Sequence, residues 1–330
     1  MPSLREFLED HIAQKKVFMI DGSFCTELEK MNMQPSKQVA WTAFVNFEFL
    51  DMVKHVHRRF LNAGCQLIST NTYHHAYPLL APVYGPVLTK KAFRDAVQAA
   101  VDVRDWHHEE DPAPCQVVVS IGPYAVVLRD GSEYTGAYAK TEDCNKIRDY
   151  YDEQVAMLQG CAFDGVLFET LPTMEDVASA CDATSNLQYD VIISLSLSAT
   201  NKMALQDGTP LLYILDKLMQ YKHVVAIGIN CGDPANGTEQ ITAIKDSGWS
   251  STGRAIIYYP STGEKYENDA WSGQPTRLEG KIEEWAKAGA IGIGGCCRIS
   301  ADDLVEVKKS IDIHNDRVQR LTDLQALCTN

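Results

Sequence analysis

Short apolar runs alternate with longer amphipathic stretches along the whole chain of 330 residues. The apolar runs are nearly continuous and do not alternate with polar residues, which is typical of parallel strands covered on both faces. The pattern predicts eight strands, at residues 17–21, 65–70, 116–121, 165–169, 191–195, 224–229, 255–259 and 290–293.

Helical periodicity fills most of the segments between these runs. It predicts helices at residues 48–63, 90–110, 141–160, 174–183, 210–221 and 277–288. A further amphipathic helix at the N-terminus has Leu4, Phe7, Leu8 and Ile12 on one face. About eight strand–helix repeats without a low-complexity linker predict an α/β fold, a single (β/α)8 TIM barrel forming one domain over residues 1–330. A doubly wound sheet is the structural alternative.

Polar residues follow nearly every predicted strand. In a (β/α)8 barrel the loops after the strands build one mouth, and active sites lie there. We therefore expect the polar strand ends to converge, and they lie at residues 21–23, 70–73, 122–124, 169–170, 196–198, 230–231, 259–261 and 295–297. Three long connections, at residues 26–46, 122–138 and 261–275, are predicted to be lids over this mouth.

Composition narrows the range of partners. The formal net charge of -14 argues against nucleic acid and anionic membrane surfaces as ligands. No apolar run is long enough to span a membrane, and the acidic N-terminus does not resemble a secretory signal, so we expect a cytoplasmic protein. Its ten cysteines are then expected to be reduced. Among them, Cys65, Cys115 and Cys161 are predicted to be buried thiols within apolar or helical pattern.

Three cysteines at two strand ends carry the strongest chemical signal. Cys231 ends the run at residues 224–231, while Cys296 and Cys297 follow the last predicted strand. Three thiolates without an evident fourth protein ligand describe an open zinc site of the catalytic kind. Neighbouring Gly292, Gly294 and Gly295 are expected to let the backbone turn sharply by adopting angles that other residues avoid. Because no CxxC pattern is present, the spacing alone leaves open a second interpretation, buried thiols at a tight turn.

Eight motifs in order along the chain resemble those of the homocysteine S-methyltransferase family. Within it, the loops Asp-Gly-Ser-Glu-Tyr and Tyr-Pro-Ser-Thr-Gly-Glu resemble the branch that uses S-methylmethionine more than the branch that uses betaine. The motifs cover nearly the whole chain, at residues 21–29, 70–73, 130–136, 169–172, 207–210, 228–231, 259–264 and 294–298.

This resemblance implies a zinc-dependent barrel that methylates homocysteine to give methionine. It implies that Cys231, Cys296 and Cys297 are the zinc ligands and that Glu169, with Asp21 and Gly22, binds homocysteine. The chain departs from the family pattern in three places. Ser23 and Cys25 stand where relatives usually have glycine, and His74 stands where they tend to have glutamine.

Further roles at the mouth follow from side-chain chemistry. Aromatic faces attract cations, so Trp41, Tyr73 and Tyr124 are candidates to contact a sulfonium donor. Asp21 and Glu169 can receive the ammonium group of an amino acid. Candidate contacts of lesser weight are Asn230, which could orient the metal site, Ser196, which could bind the substrate carboxylate, and Glu133, which could touch the donor. The adjacent pair His74–His75 is predicted to consist of solvent or loop residues, because neighbouring positions cannot form the i, i+4 metal pair of a helical zinc motif.

The sequence therefore predicts an enzyme that transfers a methyl group from S-methylmethionine, or from S-adenosylmethionine, to the homocysteine thiolate. Its partners would be small molecules only, and a monomer is favoured. Two enzymatic alternatives keep the same fold, a betaine-type donor and a selenocysteine-directed methyltransferase. A third alternative is a catalytically silent barrel that binds zinc or an amino acid.

Overall fold

Eight parallel strands close into a barrel in the computed structural model, which describes residues 1–267 and 270–328. The barrel strands are β1 (Phe18–Met19), β2 (Leu67–Ser69), β3 (Gln116–Ile121), β4 (Gly165–Leu171), β5 (Val191–Leu195), β6 (Val224–Asn230), β7 (Ala255–Tyr259) and β10 (Gly292–Ile293). A separate two-stranded sheet consists of β8 (Lys265–Glu267) and β9 (Ala270–Ser272). The order around the barrel is β1-β10-β7-β6-β5-β4-β3-β2, and a bridge between Ile20 and Leu67 joins the first strand to the second. The predicted TIM barrel is confirmed.

The helices surround the barrel, and the two longest, of 25 and 28 residues, follow β2 and β10. They are α1 (Leu4–Gln14), α2 (Phe24–Lys30), α3 (Val45–Glu48), α4 (Leu50–Asn62), α5 (Tyr77–Tyr84), α6 (Pro86–Glu110), α7 (Ala125–Leu128), α8 (Cys144–Ala156), α9 (Met174–Thr184), α10 (Leu211–Leu218), α11 (Gly237–Asp246), α12 (Ile282–Ala288) and α13 (Ala301–Cys328). No helix in the described ranges is both long and apolar enough to span a bilayer.

The predicted lids differ from the structure in detail. The first begins later than predicted, because α2 starts at Phe24, where the Ser23 hydroxyl caps the helix by accepting from the Thr26 amide. The second contains the short helix α7 and two 3-10 turns. The third is an antiparallel hairpin of β8 and β9. Asn268 and Asp269, which fall within the predicted range of this lid, lie outside the described residues.

The barrel interior and the layer between strands and helices form two separate apolar clusters. The inner cluster includes Leu4, Phe7 and Leu8 of α1, packed with inward-facing strand residues such as Phe18 and Leu167. Helix α1 therefore closes the N-terminal end of the barrel. Ser3 stabilises the start of this helix through a capping box with Glu6. The amphipathic N-terminal helix predicted from the sequence is confirmed, and the structure adds what its apolar face covers.

Alternation along the strands brings polar side chains into the barrel near its mouth. Successive side chains of a strand point to opposite faces, so a residue two positions after an inward apolar residue also points inward. Val118 and Leu167 belong to the inner cluster, and two positions later stand Ser120 and Glu169. In β5, Ser194 follows Ile192 in the same way. The inner face thus changes from apolar to polar towards the strands' C-terminal ends.

Candidate functional site

The loop that carries Cys296 and Cys297 is fixed by backbone hydrogen bonds to the ends of two neighbouring strands. The amide of Gly295 donates to the Asp21 carbonyl at 3.1 Å, and the amide of Cys296 donates to the Pro260 carbonyl at 2.8 Å. A turn follows in which the Ile299 amide donates to the Cys296 carbonyl, with Arg298 in the left-handed region at φ 71°. The loop is therefore positioned by β1 and β7, the strands on either side of β10.

The glycines before these cysteines provide space and do not adopt unusual angles. None of Gly292, Gly294 and Gly295 has a positive φ, so the predicted reason for them was wrong. A Cβ on Gly295 would lie 2.2 Å from the Ile299 side chain, and one on Gly294 would lie 2.6 Å from the Ile20 carbonyl oxygen. Close packing of the loop on β1 thus requires glycine. The backbone turn of this loop is made at Arg298, with a φ of 71°, and Cys231, which follows β6, has a φ of 52°.

The Sγ atoms of Cys231, Cys296 and Cys297 all lie within 4.8 Å of one another, and all three side chains are half-buried. In this structure Cys231 and Cys296 are joined as a disulfide, with their Cα atoms 5.3 Å apart. The expectation that every cysteine is reduced was therefore wrong for this pair, because convergence of the loops brings two thiols to bonding distance. Cys297 stays free, with its Sγ 3.8 Å from that of Cys231.

The three sulfur atoms fit a tetrahedral metal ion once the disulfide is reduced. Zinc–sulfur bonds of about 2.3 Å in a tetrahedron place sulfur atoms roughly 3.8 Å apart, which matches the separation between Cys231 and Cys297. Among the described residues this is the one cluster of potential ligands at such spacing. Burial raises the pKa of the Cys297 thiol to about 11, so an adjacent cation is needed to hold it as a thiolate at neutral pH.

Two carboxyl groups lie at the mouth close enough for their charges to interact, one buried (Asp21) and one half-buried (Glu169). Asp21, 4% exposed, accepts from the amide of Ser69 at 2.7 Å and also from its hydroxyl. Glu169 accepts from the hydroxyls of Ser120 and Tyr259. Burial raises the pKa of both groups, that of Asp21 to about 8, and the charge of Glu169 contributes to the shift at Asp21. A cation bound between the two groups would lower both pKa values and so favour the ionised carboxylates.

Glu169 is directed inward by a strained segment that Asn230 supports. Thr170 has a φ of 62°, which is unusual for a β-branched residue, and the pairing register of β4 and β5 shifts between Phe168 and Leu171. The Asn230 side-chain oxygen accepts from the Thr170 amide at 3.0 Å, and its nitrogen donates to the Thr170 hydroxyl at 2.7 Å. Asn230 thus holds the neighbour of Glu169 in place and itself precedes Cys231.

An uncharged aromatic wall borders the mouth. The ring of Trp41 stacks on that of His74, with centroids 5.8 Å apart, and Tyr73 meets His74 edge to face at 4.6 Å. Burial lowers the pKa of His74 to about 3, so the imidazole is neutral. The prediction that both histidines are solvent or loop residues is confirmed for the loop, because they lie between β2 and α5. Neither is solvent-exposed: His74 is half-buried, and His75 is fully buried and contacts the Thr89 carbonyl.

Other predicted residues have mainly structural contacts. The Ser196 hydroxyl donates to the Glu133 carbonyl at 3.0 Å, so it fastens the loop after β3 to the end of β5. Gly22 lies under the Ile299 carbonyl, 2.6 Å from where a Cβ would be. Tyr124 is buried and packs against Tyr138 and Tyr150 as core. The predicted burial of Cys65 and Cys115 is confirmed, whereas Cys161 is only half-buried.

Several residues of the site were missed by sequence reasoning. Ser69, Ser120 and Tyr259 hold the two carboxylates, and the inward alternation of their strands is a signal that could have found them. The sequence indicated Tyr134 only as one residue of a family motif and predicted no role for it, yet its hydroxyl lies 3.9 Å from the Cys297 Sγ. No local pattern reveals that contact, because it joins loops that follow different strands.

A (β/α)8 barrel whose mouth brings three thiols together near two carboxyl groups has the architecture of an enzyme with a candidate metal centre. The profile of the homocysteine S-methyltransferase family matches residues 18–311. Homocysteine S-methyltransferase YbgG of Bacillus subtilis is 28% identical over 88% of this chain and 93% of its own length. The Escherichia coli homocysteine S-methyltransferase is 28% identical over 89% of this chain and 95% of its own.

Solved structures agree with these matches. The metallated form of the homocysteine methyltransferase MmuM from Escherichia coli is 27% identical, with a TM-score of 0.78 over 89% of this chain and 96% of its own. The oxidized form of MmuM gives the same TM-score at 28% identity. The chain belongs to the homocysteine S-methyltransferase family and is a methyltransferase.

Proposed function

We propose that this protein transfers a methyl group from a sulfonium donor, S-methylmethionine in the first place, to the thiolate of homocysteine in a zinc-dependent reaction that yields methionine. The observation that carries the proposal is the convergence of Cys231, Cys296 and Cys297 at the barrel mouth that also holds the carboxyl groups of Asp21 and Glu169. We further propose that residues 1–330 act as one domain, as a monomer in the cytoplasm, with small molecules as its partners.

The proposed metal is zinc, held by Cys231, Cys296 and Cys297. Three sulfur donors suit this ion, and three protein ligands are typical of its catalytic sites. When bound, zinc would keep an incoming thiol deprotonated near neutral pH. Electron donation from three anionic sulfurs would counter the loss of nucleophilicity that normally accompanies a lowered thiol pKa.

Homocysteine is proposed to bind with its ammonium group at Asp21 and Glu169. The raised pKa values of these carboxyls reflect the cost of burying two anions, and a substrate cation between them relieves that cost. Asn230 maintains the strained backbone that aims Glu169 into the barrel. Gly22 allows the loop bearing the cysteines to approach β1 closely. For Ser196 the contact with the lid is the supported role, in preference to a carboxylate contact.

The aromatic wall supports a sulfonium donor. Trp41 and Tyr73 offer faces that attract a cation by about 0.5–2 kcal/mol. His74 between them carries no charge at neutral pH, so the wall does not repel a positive donor. The attraction is modest, which suits a reaction that consumes the positive charge, because strong stabilisation of the cation would slow the transfer. Positioning of the two sulfur atoms then supplies most of the acceleration.

The test is a methionine-formation assay on reduced, zinc-loaded protein. S-Methylmethionine, S-adenosylmethionine and betaine are offered in turn with homocysteine, and zinc is measured on the same sample. We expect about one zinc ion per chain by the three-ligand assignment and turnover with S-methylmethionine. Turnover with betaine alone would refute the proposed donor. Bound zinc without turnover on any donor would refute the proposed reaction and favour a binding barrel.

A further inference from the structure

We propose that Tyr134 directs the methyl group to the substrate sulfur by hydrogen bonding to the competing ligand sulfur of Cys297. The Tyr134 Oη lies 3.9 Å from the Cys297 Sγ, within reach of an O–H···S hydrogen bond. A thiolate has no proton to give, so in the metal-binding state the tyrosine is the donor. This inference rests on the proposed function and adds a specificity residue to it.

The hydroxyl of Tyr134 is protonated at neutral pH, because the ordinary pKa of a tyrosine is about 10. The residue as a whole is 45% exposed, so its inner end meets the sulfur while the rest of the side chain borders solvent. A phenol in this position remains a donor over the whole physiological pH range.

Contacts on both sides of Tyr134 fix its place in the loop after β3. Before it, the Glu133 carbonyl accepts from the Ser196 hydroxyl at 3.0 Å, and the Ser132 amide donates to Asp130. After it, the Tyr138 hydroxyl donates to the fully buried carboxylate of Asp176 at 2.5 Å. The Asp176 carboxylate also accepts from Tyr151. The hydroxyl of Tyr134 is therefore presented to Cys297 by an anchored segment.

The chemistry of the site makes such protection useful. A sulfonium that methylates a thiolate forms one new sulfur–carbon bond, and its own sulfur–methyl bond breaks with the electron pair staying on the donor sulfur. Any thiolate within reach can be the acceptor, including Cys297. Methylation would turn Cys297 into a neutral thioether and remove an anionic ligand. A hydrogen bond draws electron density from the Cys297 sulfur, which leaves the substrate thiolate as the better nucleophile.

The experiment compares Tyr134→Phe, which removes only the hydroxyl, with wild type and with Tyr213→Phe. Tyr213 is a half-exposed tyrosine of α10 and serves as the matched control. Reduced, zinc-loaded proteins are incubated with S-methylmethionine without homocysteine, and methylation of Cys297 is followed by peptide mass spectrometry. Because a hydrogen bond to a charged group contributes about 1.5–3 kcal/mol, we expect methylation on the order of tenfold faster, or more, in Tyr134→Phe.

A second reagent separates this inference from the proposed function. Iodoacetamide alkylates thiolates without needing a sulfonium site, and we expect Cys297 to react faster in Tyr134→Phe by a similar factor, with unchanged zinc content. Equal rates of Cys297 alkylation in the variant and wild type would overturn the inference, as would loss of zinc on removal of the hydroxyl. Failure of wild type to form methionine from a sulfonium would refute the proposed function, while the iodoacetamide comparison would still decide the role of Tyr134.

Discussion

The two ends of the barrel are built on opposite principles. At the N-terminal end, Leu4, Phe7 and Leu8 of α1 are at most 2% exposed and fill the opening with apolar side chains. At the C-terminal mouth, carboxyl groups, amides and thiols lie together, buried or half-buried. Non-glycine residues with positive φ also lie there, at Trp41, Thr170, Cys231 and Arg298.

The comparison shows that the N-terminal end stabilises the fold, whereas features of the mouth destabilise it. Burial of apolar side chains stabilises a fold by about 25 cal/mol per Å². Buried charges and left-handed backbone cost free energy, and they persist where function requires them. Apolar packing at the N-terminal end thus contributes stability that offsets the cost of buried charge and strained backbone at the mouth. Substitutions at the mouth should change chemistry more than stability, and substitutions at the closed end should do the reverse.

Cys296→Ser at the mouth should have the largest effect. A serine hydroxyl is a poor substitute for a thiolate ligand, so we expect loss of bound zinc and a fall in methionine formation of about 10³-fold or more. The fold should be retained, because Cys296 is only half-buried. Zinc content, the rate of methionine formation and circular dichroism on the reduced protein check this. Cys144→Ser, at an exposed cysteine outside the cluster, is the control and should behave as wild type. Full zinc occupancy in Cys296→Ser would contradict the ligand assignment.

Leu8→Ala at the closed end should have the reverse profile. The side chain is 1% exposed, and its truncation leaves a cavity that lowers the free energy of unfolding by about 2–5 kcal/mol. The protein that remains folded should keep its zinc and its KM for homocysteine. Urea denaturation together with steady-state kinetics measures both. Ile12→Ala, at the half-buried end of the same face, should cost less. If Leu8→Ala changed the KM for homocysteine and left the free energy of unfolding unchanged, the assignment of stability to the N-terminal end and chemistry to the mouth would be wrong.

The sequence allowed the barrel and the cysteine cluster to be predicted because both depend on local patterns. Each strand is a continuous apolar run. Cys231 ends one of these runs, and Cys297 lies a few residues after another. Their convergence follows from the topology of a parallel barrel. Helix α11 was not predicted, and its first residue, Gly237, lies against Trp285 and Tyr258, which leave no room for a Cβ.

What could not be predicted depends on contacts between distant loops. The role of the glycines near Cys296 is one case, because only the packing of Gly295 on Ile299 shows that space and not backbone angle is limiting. The burial of His75 is another. Polar character suggested an exposed residue, but its ring nitrogens contact Asn46 and the Thr89 carbonyl inside the structure. Side-chain partners of this kind are set by register between elements, which a single sequence does not encode in a local pattern.

Over a single pH unit, Asp21→Asn should change stability less than Leu8→Ala does, and it measures the cost of a polar mouth most directly. Burial raises the pKa of Asp21 from 3.8 to about 8, so the folded state holds this proton more tightly than the unfolded state between those values. Wild-type stability should therefore fall as pH rises through this range. Asparagine keeps an acceptor for the Ser69 amide, carries no charge and does not titrate.

Urea unfolding of both proteins at several pH values between 5 and 9 measures the difference. We expect Asp21→Asn to become more stable relative to wild type as pH rises, by up to about 1 kcal/mol per pH unit. Glu169 titrates in both proteins and so largely cancels in the comparison. The same substitution should raise the KM for homocysteine more than it lowers kcat, because an ammonium contact is lost. Parallel stability curves would show that Asp21 is not desolvated in the folded protein. The destabilisation at the mouth would then be attributed to the left-handed backbone of Thr170 and Cys231 instead.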